Sequence, residues 1–175
     1  MRNPTFVATA SFLLATTAAL AQSVTYDFDT SADFSRLRTY AWVSGTNVRD
    51  ELNHKRIVAA IDAQLAARGL KRVEPASNPD ALVAYHATFD KDLRINGFSS
   101  GWGGYRFAAS RSGTATVDEI VNGTLAVDIV DAKTRSIVWR GIASREVDAK
   151  ASPEKREKNI RRAAEKMFKN YPPRG

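Results

Sequence analysis

Four side chains at period two could do chemistry: His86, Thr88, Asp90 and Asp92, in the run ALVAYHATFDKD. Alternation places all four on one face of a strand. A histidine with two carboxylates is a donor set for a divalent cation. Neighbours along one strand point side by side, and no second histidine or cysteine cluster supports them, so the sequence predicts no metal and no cofactor. His86 then reads as a hydrogen-bonded histidine near the core, and His54 as a solvated one on a polar stretch. Covalent catalysis has little footing. The chain has no cysteine, two histidines and no G-x-S-x-G. Paired carboxylates drawn from Asp90, Asp92, Asp118, Glu119 and Asp128 would be the only enzymatic option, a hydrolase acting on an envelope polymer. Asp128 and Asp131 read more simply as water-facing or turn-capping residues.

The second candidate is the stretch NGFSSGWGGYRFAASRSG, Asn96 to Gly113. It holds no G-x-x-x-x-G-K-[ST], and no helix follows to fix backbone amides around a phosphate. Arg94, Trp102, Tyr105, Arg106, Phe107 and Arg111 instead offer aromatic faces beside cations, a surface for a sugar ring or an anionic polymer. Five glycines and four serines make an ordered conformation costly. The stretch therefore predicts a mobile insertion between two strands, and those six residues are the binding candidates.

The elements around these candidates follow from periodicity. SVTYDFD and RTYAWV alternate as strands. Asn47 reads as the cap of a helix over about 48–68, with Asp50 in its first turn and Val58, Ile61 and Leu65 on its buried stripe. Gly69 and Leu70 close it. KRVEP reads as a short strand, and ALVAYHATF as a central one with both faces largely apolar. TLAVDIVD and SIVWRGIAS form a hairpin across residues 131–135, with Ile137 and Trp139 on one face. Ser152-Pro153-Glu154 starts a last helix, and Pro172-Pro173 stops it. Its stripe of Ile160, Ala163, Ala164, Met167, Phe168 and Tyr171 must face a sheet, and its basic remainder is solvated. The order β-β-α-β-β-loop-β-β-α predicts one α+β domain: a mostly antiparallel sheet with two main helices on one face.

The N-terminus predicts export. Arg2 precedes an apolar run too short to span a bilayer, and Ala19-Leu20-Ala21 is a cleavage pattern, so 1–21 reads as a signal peptide and 22–175 as the mature domain. No later stretch reaches membrane-spanning length. Without cysteine there is neither a disulfide nor a thiol for an acyl anchor, which predicts a soluble periplasmic protein. The net charge of +7 loses only Arg2 with the leader. Export argues against nucleic acid and leaves anionic envelope partners: wall polymer, lipopolysaccharide, lipid headgroups or an envelope protein.

TYDFDTSADFSRLRTYAW, NPDALVAYHATF, the Gly/Trp-rich stretch and GTLAVDIVDAKTRSIVWRGIAS together resemble the bacterial family called domain of unknown function 4136. The resemblance covers nearly all of the mature chain, and its most specific part is the hairpin ending in Val138-Trp139-Arg140-Gly141. It implies an exported envelope protein, in a family where many look like lipoproteins and no activity is known, so it carries over no catalytic residue. This chain departs in lacking the lipobox cysteine. The expectation is an uncharacterised, non-enzymatic binding or scaffolding domain of the cell envelope.

Overall fold

The computed structural model describes residues 22–96 and 116–173, with side chains for 22–91 and 120–173. The expected leader, 1–21, lies outside the described residues. Six strands form one sheet: β1 (Ser23–Phe28), β2 (Thr39–Trp42), β3 (Lys71–Arg72), β4 (Ala81–Asn96), β5 (Thr116–Asp131) and β6 (Ile137–Val147). Two helices, α1 (Glu51–Ala66) and α2 (Pro153–Met167), complete this α+β domain. The strand order is β1-β6-β5-β4-β2-β3.

The sheet is mixed rather than mostly antiparallel. β1–β6, β6–β5 and β5–β4 are antiparallel, but β2 pairs parallel with both β4 and β3. The cause is α1. It carries the chain from the end of β2 back to the starting edge, so the next strand beside β2 must run the same way.

α1 starts later than the sequence predicts, because Asp50 rather than Asn47 caps it. The Asp50 carboxylate accepts from the Leu52 and Asn53 amides at 2.9 and 3.2 Å. At the other end Gly69 takes φ +83°. There the Leu70 and Gly69 amides donate to the carbonyls of Leu65 and Ala66, at 3.1 and 3.0 Å. Asp62 then ties the helix to the sheet. It accepts from Tyr40 Oη (2.6 Å), Trp42 Nε1 (2.8 Å) and Arg72 Nη1 (2.9 Å).

A second departure lies in β6. A bulge between Ile129 and Val130 opposes Trp139 to Ile129 and Ile137 to Val130. The extra residue, Val138, turns inward beside Trp139, and Ile137 is left exposed instead of sharing its face.

Both helices cover one sheet face. Val83, Tyr85, Val127, Ile129 and Trp139 meet Ile61 and Leu65 of α1 and Met167 and Phe168 at the end of α2. The helices run parallel. Arg68, after α1, donates through Nε to the Tyr171 carbonyl at 2.9 Å and through Nη2 to that of Phe168, clamping the two C-terminal ends together. Aromatic rings fill this end: Trp139 lies 4.8 Å from Phe168 and 5.3 Å from Tyr171, centroid to centroid.

Candidate functional site

Of the six residues named as binding candidates, Trp102, Tyr105, Arg106, Phe107 and Arg111 lie outside the described residues. Arg94 sits in β4 opposite Asp118 of β5, and its side chain is outside the description. The two strands that flank the Gly-rich stretch pair as far as Asn96 and Thr116.

His86 belongs to a polar cluster on the sheet face that the helices leave uncovered. Asp128 of β5, opposite Ala84 of β4 and Arg140 of β6, is only 3% exposed. Both its oxygens accept from Arg140, at 2.6 and 2.7 Å. The water-facing expectation for Asp128 is therefore wrong: a bidentate guanidinium takes the place of water. That carboxylate in turn raises the pKa of Arg140. His86 Nδ1 accepts from the Thr46 amide at 3.1 Å, which puts the proton on Nε2, 3.5 Å from Asp128. Neither ring nitrogen offers a substrate a free lone pair, so the cluster orders the sheet and has no poised base. Asp131 caps the β5–β6 turn, accepting from the Lys133 and Thr134 amides at 2.8 and 3.1 Å, and also meets Arg36. His54 is not simply solvated, because its Nδ1 lies 2.7 Å from Tyr85 Oη. Among the described residues no group of three His, Asp or Glu could hold a metal ion.

A mainly apolar concave site lies elsewhere, between the sheet and the N-terminal halves of both helices. It is a cavity of about 400 Å³, within the range of roughly 300–1,000 Å³ usual for ligand sites. Its wall includes Ile57 of α1, Ala87 and Phe89 of β4, Leu125 of β5, Ala143 of β6, and Ile160 and Ala163 of α2. The hollow has a cause in side-chain size. Along β4 the inward residues step from Tyr85 to Ala87, and along β6 from Trp139 through Gly141 to Ala143. The large ones fill the aromatic end and the small ones leave the other end open. Arg145 and Arg156, both partly exposed, stand among the lining residues. Each is anchored by one hydrogen bond to a backbone carbonyl: Arg145 Nε to Glu146 at 3.1 Å, and Arg156 Nη2 to Ala149 at 2.9 Å. Sequence reading missed this site. The signal available was the large-to-small step on inward strand positions.

A second depression of about 420 Å³ is bordered by Phe34, Arg68 and Tyr171. Its carboxylates, Asp29 and Asp33, are held below the usual range by hydrogen bonds from Ser31 and Ser35 in their own turns.

Several solved structures share the fold. A PDZ domain protein from Parabacteroides distasonis superposes with a TM-score of 0.55 at 18% identity, over 88% of this chain but only 37% of that one. The chain thus spans little more than a third of that protein. A PelC dodecamer from Paraburkholderia phytofirmans matches with a TM-score of 0.52 at 10% identity, over 85% and 96% of the two chains. A DUF4136 family protein from Bacteroides thetaiotaomicron gives 0.53 at 15% identity, over 86% and 96%. No curated protein matches the sequence significantly. Among the described residues no helix is long and apolar enough to cross a membrane. The profile of DUF4136, a domain of unknown function, matches residues 24–173, and the chain belongs to that family.

Proposed function

We propose that this chain is an exported, non-enzymatic binding domain of the cell envelope, and that its ligand site is the cavity between the helices and the sheet. The cavity carries the reading: it is apolar, of ligand size, and edged by two arginines. The described carboxylates with a displaced pKa are all displaced downward. Hydrogen bonds lower Asp29, Asp33, Asp80, Asp148 and Glu154, whereas a general acid needs a raised value. Export rests on the leader pattern, and predicts Gln22 as the first residue of the protein isolated from cells. The partner is an anionic envelope component, in keeping with the basic charge.

The test is co-purification. Protein isolated gently from its own envelope and analysed by denaturing mass spectrometry should release a stoichiometric envelope molecule. That molecule should be absent from a folded Ala87→Phe variant, whose ring occupies the cavity. Equal amounts from both proteins would refute the site. Conversion of the bound molecule to a cleaved product on standing would favour the hydrolase.

A further inference from the structure

The chemistry of the cavity narrows its ligand, provided that it is a binding site as read above. Much of its wall is apolar, from Ile57, Ala87, Phe89, Leu125, Ala143 and Ile160, which suits a hydrocarbon chain. Its polar lining residues are Gln22, Asn53, Thr124, Asp148 and Asn159, beside the cations Arg145 and Arg156. Among the described residues, Arg145 donates only its Nε–H and Arg156 only one Nη2 bond, so both guanidiniums keep forked donors for an oxyanion.

The helices reinforce this charge. Because α1 and α2 run parallel, both positive dipole ends flank the same cavity: Asn53 and Ile57 line it from the start of α1, Arg156 and Ile160 from the start of α2. The carboxylates nearby are already engaged. Asp50 caps α1, Glu51 pairs with Lys55 at 2.7 Å, and Asp148 pairs with Lys155 at 2.9 Å. Glu154 accepts from Ser152. None of these pairs uses Arg145 or Arg156.

We propose that the cavity takes a single-chain amphiphile with an anionic head, a straight-chain carboxylate: the hydrocarbon lies between the helices and the sheet, and the head is held by Arg145 and Arg156.

Isothermal titration of the purified protein with n-alkyl carboxylates of increasing length, each below its micelle concentration, tests this against n-alcohols of the same length. Affinity for the carboxylates should rise roughly fourfold per added methylene and then level off once the cavity is full. At low salt the carboxylate should bind about tenfold more tightly than the alcohol. The double variant Arg145→Gln with Arg156→Gln, both at partly exposed positions, should lose that preference and keep the chain-length dependence. A wild-type protein that binds alcohol and carboxylate equally would overturn the anionic head while leaving the cavity a binding site. Affinity independent of chain length, or undiminished in an Ala87→Phe variant of unchanged circular dichroism, would overturn the buried tail. If neither series binds, the inference fails, and co-purification still decides whether the cavity holds some other envelope molecule.

Discussion

Gly141 has no side chain because Trp139 lies where one would be. A Cβ built on Gly141 would stand 2.4 Å from Cη2 of that indole, inside any permitted contact. This explains the Trp-Arg-Gly sequence in physical terms: a tryptophan leaning along its strand needs an empty position two residues on. Gly141→Ala should cost about 1–3 kcal/mol by forcing the ring out of its packing against Phe168 and Tyr171. Among the described residues the buried Trp139 Nε1 has no hydrogen-bond partner, so Trp139→Phe gives up none of their hydrogen bonds. The double variant should therefore be less destabilised than the sum of the two single ones, as denaturant melts of all four proteins would show. Strict additivity would mean that the contact does not matter. Tyr171 gives a second test. Burial pushes its phenol up to about 12 from 10.0. A pKa raised in the folded state means stability complete below pH 10 and lost as pH climbs from 10 towards 12, at about 1.4 kcal/mol per unit. Tyr40 adds to the same loss, because burial and its hydrogen bond to Asp62 raise it too. Tyr171→Phe should unfold at higher pH than wild type in an alkaline titration. An unchanged midpoint would remove Tyr171 from the account.

At the scale of elements, the parallel edge depends on one carboxylate. Asp80, just before β4, accepts from the Arg38 and Thr39 amides at 3.0 and 2.9 Å and from Thr39 Oγ1 at 2.8 Å, which fixes the start of β2 beside the start of β4. Asp80→Ala should cost about 1–3 kcal/mol, because partly buried donors lose their acceptor. Those hydrogen bonds lower its pKa from 3.8, so the contribution is present above that value and disappears as pH falls through the folded-state one. The variant should thus lose part of the acid sensitivity of wild type, measured as urea stability at pH 5 and pH 3. The residues that make this contact are plain in the sequence, but the contact is not. Helix stripes and strand alternation are local, and they located both helices and most strands. β2 and β4 are joined through α1 and β3, and nothing local says which neighbour β2 takes or in which direction. The same holds for the bulge that buries Val138 and for the start of α1, where Asn47 and Asp50 are chemically equivalent caps and only tertiary packing chooses between them. The cavity was the least legible feature. It depends on facing positions of four elements being small together, and no single window contains them.

The whole molecule is therefore asymmetric along its helices. One end is closed by Trp139, Phe168, Tyr171 and the Arg68 clamp; the other is held apart by alanines and opens beside Arg145 and Arg156. Packing density sets the free energy of local opening, so the two ends should differ in hydrogen exchange even though they belong to the same two helices. Amides at 163–168 of α2 and 127–129 of β5 should exchange only through global unfolding, at rates that follow the denaturant melt. Amides at 54–58 of α1 and 157–160 of α2 should exchange faster, through openings that expose little surface and respond weakly to urea. A straight-chain carboxylate bound in the cavity should slow the second group more than the first, because a ligand stabilises the elements that it bridges before it stabilises the fold as a whole. Uniform protection along both helices without ligand would mean that the open end is as tightly held as the aromatic one, and the size step from Tyr85 to Ala87 would then have no dynamic consequence.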